Sequence, residues 1–303
     1  MERRSRLLTT SPSEARQLLS IDVIRTAEGW YVQRGSKAFP VNAELHTTAV
    51  LLAKGLAAVR AAASATKGGV AADGLSLLSP VTAPCRVVAQ AVNYRSHARD
   101  TGFGENPPAV FFRKSSASVS GPSDDIVRPV HVRLLDIQLE KGQFYESKSY
   151  PTFTPTGPRL VLLDAEDFTR LSGLRLWLWV NGELRQDGTV ADMITPPAAA
   201  LTLLAGFQPL DPGDLVLTGT PGGTALHAPP AVIEKMGDLL PTPLKWRVFF
   251  SRQERNPAYL KAGDVITTSI ATEDGALDLG TQRTVVRDAA GEGERTSHRR
   301  SCR

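Results

Sequence analysis

Leu174, Leu176, Leu178 and Val180 alternate with Arg175, Trp177 and Trp179, and the run ends on Asn181-Gly182. A two-residue period closed by that dipeptide specifies a β-hairpin, because Asn and Gly accept the left-handed backbone that matches strand twist. Large apolar side chains on both faces of the run require cover on both. The same punctuation recurs from Ala83 to about Asp288, where Pro-Gly, Asn-Gly and Gly-Asp turns separate short apolar runs, so this stretch reads as β-dominated. Leu210-Asp211-Pro212-Gly213-Asp214 and Leu260-Lys261-Ala262-Gly263-Asp264 are two like turns, each leading into a β-rich run. Pro196-Pro197 suits the first turn of a helix through Leu204, where a proline forfeits no helical hydrogen bond.

The first eighty residues read as a small α/β unit. A strand starts at Gly29-Trp30-Tyr31-Val32, and Asn42 is placed to cap a helix reaching about Ala65, with Leu45, Leu52, Leu56, Val59 and Ala63 as its apolar stripe. Small residues from Gly68 to Gly74, then Ser79-Pro80, mark a linker. The predicted organisation is an α/β unit over 1–80, a β-rich domain over 84–287, and a disordered tail over 288–303 made of Gly, Glu, Arg and Ser without periodicity. A chain of 303 residues is long enough for two such units.

The net charge of +4 sits at the ends: Met1–Arg6 carries +2 and Thr296–Arg303 carries +3, which leaves the body at −1. A nucleic-acid groove is therefore unsupported. Cys85 and Cys302 are the only cysteines, too few for a disulfide framework or a Cys-rich zinc site. No apolar run reaches membrane-spanning length and no apolar segment follows the basic N-terminus, so the chain reads as cytoplasmic, with no membrane partner.

Asn93-Tyr94-Arg95-Ser96-His97-Ala98-Arg99-Asp100 follows an apolar strand and sets His97 three residues before Asp100. On one helical turn those side chains meet, and a carboxylate beside an imidazole supports a general base; a solvated helix start explains the same spacing. Phe111-Phe112-Arg113-Lys114 brings two cations out of an aromatic strand, as an anion contact or a surface pair. Gly102, Gly104 and Pro107-Pro108 would let the His97 segment move as a lid.

Taken in order, these segments resemble the fumarylacetoacetate hydrolase family. The resemblance rests on Asn93-Tyr94 through His97, Phe111-Phe112-Arg113, Lys148-Ser149, Phe153-Thr154-Pro155, Gly157-Pro158, Val180-Asn181-Gly182-Glu183, Gln186, Pro212-Gly213-Asp214, Thr218-Gly219-Thr220-Pro221, Asp274-Gly275 and Gly280-Thr281-Gln282. It implies an α+β fold with a mixed, β-rich roll or barrel-like catalytic domain, in a homodimer. It further implies cleavage or rearrangement of a small 2-oxo or β-diketo acid such as an acyl-pyruvate, as in aromatic catabolism, at a Mg²⁺ or Mn²⁺ ion. His97 would be the base, Asp100 its partner and Lys148 an electrostatic anchor; Arg113 and Gln138 would contact substrate and Thr220 would line the pocket.

The chain departs from the family pattern where the metal belongs. The family's Glu-x-Glu pair and later Asp have no counterpart, and Val130 to Gln138 reads as if an internal segment were cut out with Asp136 at the join. His131, Asp136 and Glu140 are the substitute ligands the sequence offers, with Glu146 nearby. Losing strands from the central sheet would leave ladder edges unpaired. A catalytically dead binding or subunit-exchange module is the alternative to an active enzyme.

Overall fold

A computed structural model describes residues 20–130, 132, 134–228 and 241–289. The basic N-terminal cluster, His131 and the tail from residue 290 lie outside the described residues. Strands β1 (Ser20–Arg25), β2 (Trp30–Arg34) and β3 (Lys37–Pro40) form an antiparallel meander, flanked by β4 (Val70–Ala71) on one edge and β10 (Arg159–Leu163) on the other. Val23, Trp30, Val32 and Phe39 from this sheet pack with Leu51 and Val59 into one buried cluster, and Leu160 and Leu162 of β10 close over it. The N-terminal sheet thus takes a strand from the β-rich part of the chain.

The helix read from Asn42 begins later and in two pieces. Thr47 is the cap, its side chain accepting from Val50 N, and α1 (Thr48–Lys54) gives way at Gly55 to α2 (Leu56–Ser64). Residues before Thr47 stay out of the helix because the Trp30 indole donates to Leu45 O at 2.6 Å. At Gly55 any Cβ would lie 2.6 Å from the Leu45 side chain, so only glycine fits the junction. The break rotates the stripe: Leu51 is fully buried, whereas Leu56 is 40% exposed.

The alternating run forms β11 (Leu174–Val180), joined to β12 (Glu183–Thr189) by Asn181 and Gly182 at φ 52° and 83°. The two central turn residues thus adopt the left-handed backbone that the dipeptide requires. Asn181 also ties the hairpin to the next strand, donating to Asp264 Oδ1 and accepting from Val265 N, both at 2.9 Å. Strands β14 (Val265–Thr272), β15 (Asp278–Asp288) and β8 (Ile126–Arg128) complete a second sheet of order β12-β11-β14-β15-β8. β15 has eleven residues, yet β8 pairs only with its last three. None of the sheets closes, so the barrel-like expectation becomes several open sheets in a mixed α/β, strand-rich fold.

β5 (Val87–Ala91) is central to a third sheet, parallel to β13 (Leu215–Leu217) and antiparallel to β6 (Val110–Lys114). The two like turns do the same job. Asp214 accepts from Asp211 N and Asp264 from Lys261 N, at 2.9 and 2.7 Å, each carboxylate closing its own loop. A short parallel pair, β7 (Val119–Ser120) with β9 (Thr154–Pro155), lies beside them. α3 (Arg95–Asp100), α4 (Phe144–Lys148), α5 (Pro197–Ala205) and α6 (Thr242–Glu254) cover the sheets. Among the described residues no helix is long and apolar enough to cross a membrane.

Candidate functional site

At the end of β5 the backbone turns sharply. Val92 sits at φ 50°, a left-handed conformation that a β-branched residue rarely adopts. Asn93, fully buried, holds that turn: its amide donates to Thr195 O at 3.0 Å and Thr218 O at 2.7 Å, and its oxygen accepts from Thr195 N at 2.8 Å. Asn93 is therefore a structural clamp that fixes where α3 begins.

Three contacts pin α3. The Ser96 hydroxyl donates to Asp192 Oδ2 at 2.8 Å, Gly222 N donates to Ser96 Oγ at 3.1 Å, and Gly223 N donates to Asp100 Oδ2 at 2.8 Å. Gly223 has no alternative residue, since φ is 87° and a Cβ would meet Arg185 O at 2.0 Å. The Asp100 carboxylate is thus spent on a loop, and no hydrogen bond joins it to His97, whose Nδ1 is buried without a partner. This corrects the expected His97–Asp100 dyad. These contacts tie α3 to the loops that follow β12 and β13. Asp100 still acts on His97 through its charge. Burial pushes the His97 imidazole pKa down, Asp100 opposes that shift, and Lys148 and His227 reinforce it, which together favour the neutral imidazole.

His227, 4.0 Å from Asp100 Oδ2 through Nε2, belongs to this group although nothing in the sequence pointed to it. Lys114 was equally overlooked. On β6, Phe112 and Lys114 share a face, and the Phe112 ring lies 5.3 Å from Phe144 of α4, the helix that carries Lys148. Lys114 donates to Phe153 O at 3.0 Å, and burial followed by the charge of Lys148 pushes its pKa down to about 8. Arg113 lies on the opposite, exposed face of the strand, away from Lys148. The two-residue period from Phe112 would have given that answer.

A cavity of about 900 Å³ opens on the second sheet, and Lys148, Gln138, Asp136, Arg185 and Gln186 lie on its wall. Lys148 is open to water by area, while surrounding protein atoms still push its pKa down by removing hydration. Asp136–Glu140 forms a π-helical turn. Thr220 does not reach the wall; its hydroxyl receives Gln186 Nε2 at 3.0 Å, and the same amide donates to Pro221 O at 2.9 Å, fixing the loop that pins α3.

Among the described residues no three His, Cys, Asp or Glu side chains gather to hold a metal. The cavity carboxylates are Asp136, Glu254 and Asp288, the last bound to Arg128 at 2.8 Å, and the exposed Glu140 is not on the wall. Mg²⁺ and Mn²⁺ need several oxygen donors in near-octahedral array, and the described donors do not fit them. The cations on the wall are Lys148, Arg185 and Arg128, and Lys114 and His97 lie off the wall within electrostatic reach of Lys148.

The Fumarylacetoacetate (FAA) hydrolase C-terminal family pattern matches residues 135–287, beginning beside the Asp136 join. The mitochondrial oxaloacetate tautomerase FAHD2B of Bos taurus is 27% identical over 204 residues, covering 54% of this chain and 64% of that protein. This chain therefore spans less than two thirds of that relative. Since 54% of 303 is about 164 residues, about 40 of the 204 aligned positions have no counterpart here. A putative hydrolase of Burkholderia multivorans is 27% identical over 218 residues, covering 59% of this chain and 68% of its own. Among solved structures, a probable 2-hydroxyhepta-2,4-diene-1,7-dioate isomerase from Mycobacterium abscessus superposes with TM-score 0.65 at 23% identity, covering 90% of this chain and all of its own. Maleylpyruvate hydrolase from Sphingobium sp. SYK-6, in complex with manganese(II) and pyruvate, gives TM-score 0.60 at 20% identity, covering 89% of this chain and all of its own. By the matched half of its length and the fold it shares, the chain belongs to the fumarylacetoacetate hydrolase family.

Proposed function

We propose that this protein binds a small 2-oxo or β-diketo acid and moves a proton on the carbon next to its carbonyl, a keto–enol rearrangement. The observation that carries the reading is a neutral, half-buried imidazole, His97, within electrostatic reach of the cavity ammonium of Lys148. A neutral imidazole takes the carbon-bound proton; the electron pair moves onto the carbonyl oxygen as an enolate, and the Lys148 ammonium stabilises that charge. His97 then returns the proton to oxygen, so no atom is gained or lost. The similarity to an oxaloacetate tautomerase supports a rearrangement.

His97 is not on the cavity wall, and this favours a second reading in which the oxo acid is bound without reaction. Deuterium exchange into the C3 protons of pyruvate separates the two. Exchange that His97→Ala abolishes while oxalate still binds supports the rearrangement. Oxalate binding without exchange establishes a binding module, and failure to bind either ion ends both readings. The pH profile adds a check. Exchange should reach its plateau below the ordinary imidazole value of 6.5, because the His97 pKa is lowered, and should fall again near 8 as Lys114 loses its charge.

A further inference from the structure

The cavity is far larger than the head group it is proposed to hold. At roughly 30 Å³ for each water-sized group, the six heavy atoms of pyruvate take up about 180 Å³, a fifth of the 900 Å³ available. Much of the remaining wall is apolar, with Gln253, Glu254, Tyr259, Arg128 and Asp288 also on it. Leu178 and Val180 of β11, Val286 of β15 and Ile126 of β8 line its floor, and Phe250 of α6 and Leu260 lie opposite. Strands stand about 4.8 Å apart, so a floor running from Gln186 on β12 to Ile126 on β8, four spacings away, is on the order of 19 Å long.

The polar groups are unevenly available. At the β8 edge, Arg128 is already satisfied by Asp288 Oδ1 at 2.8 Å and Leu260 O at 3.1 Å. At the β12 edge, Arg185 Nε is buried without a hydrogen bond, its acid neighbour Glu183 standing 3.6 Å away. Lys148, with Arg185 held only by a longer 3.6 Å ion pair to Glu183, is thus the wall cation placed to meet a carboxylate, whereas at the other edge Arg128 is claimed by Asp288 at 2.8 Å.

We infer that the cavity takes an oxo acid with one carboxylate and an extended, uncharged apolar tail, several carbons longer than pyruvate. The inference rests on the oxo-acid reading above and narrows its substrate class. A dicarboxylate of similar length would press its second charge against Leu178, Val180 and Val286, on a wall that also carries the Glu254 and Asp288 carboxylates.

Calorimetry on the full chain tests it with pyruvate, 2-oxohexanoate, 2-oxodecanoate and 2-oxoadipate. Affinity should rise about three- to fourfold for each methylene added along the monocarboxylate series, and 2-oxoadipate should bind no tighter than 2-oxohexanoate. Leu178→Trp and, independently, Ala258→Phe in the loop after α6 should flatten that gain by shortening the cavity. Pyruvate binding with a series flat to within twofold, or 2-oxoadipate binding tighter than 2-oxohexanoate, overturns the inference and leaves the oxo-acid reading standing. No binding of any oxo acid overturns both.

Discussion

The two five-stranded sheets of this protein are finished differently. In the N-terminal sheet, Val23, Ile24 and Val32 are 0%, 0% and 1% exposed, and two helices and β10 seal the cluster. In the second sheet β11 buries only its terminal residues, Leu174 and Val180, and β14 buries Ile266 alone. The second sheet is also where the family pattern matches, and relatives carry about 40 aligned positions that this chain lacks. A sheet face left without a packed layer costs apolar burial and opens space for a ligand. Stability is therefore concentrated in one sheet and the candidate chemistry in the other.

Truncation on either side of that contrast gives the largest expected effect. Leu51→Ala empties a sealed core and should cost about 2–5 kcal/mol in urea unfolding, whereas Leu178→Ala, already facing a void, should cost less than about 1 kcal/mol. Equal losses would erase the distinction. Asn93→Ala comes next, at about 2 kcal/mol, because it strips hydrogen bonds from Thr195 and Thr218 where β5 turns into α3.

Asp214 probes the third sheet through pH. Burial alone would raise its pKa, but hydrogen bonds from the Arg86 guanidinium and from the backbone N–H groups of Asp211 and Arg86 hold it below the ordinary 3.8. Since the folded value is the lower one, the stabilisation is complete above 3.8 and fades as pH falls through the folded value. Asp214→Asn should cost about 1.5 kcal/mol at pH 7 and show a shallower loss below pH 4 than the parent. Smallest in stability and confined to the site is the β6 pair. Lys114→Met should weaken oxalate binding about tenfold, or about 1.4 kcal/mol, and Arg113→Ala by less than twofold, with neither moving the unfolding midpoint appreciably.

Local signals carried the strands and turns well. Asn181-Gly182, Pro196-Pro197 and the two Gly-Asp turns each act through their own backbone, so short sequence windows suffice for them. The helix start at Thr47 was not legible because a distant indole, Trp30, decides it. In the site, Lys148 and Gln138 both lie on the cavity wall. The partner of Asp100 turned out to be Gly223, more than a hundred residues away, and His227 and Arg185 join the site only through the fold. Spacing on one helical turn cannot reveal that a carboxylate is claimed by a loop.

The central claim is that cationic side chains, with Lys148 foremost, bind the oxo acid where the described residues assemble no metal site. Oxalate titration of chelator-treated protein, repeated with added Mn²⁺ and with Lys148→Met, tests it directly. The account predicts dissociation constants that agree within twofold with and without Mn²⁺, and at least a tenfold weakening in Lys148→Met. Binding that appears only when Mn²⁺ is supplied and is untouched by Lys148→Met would contradict it.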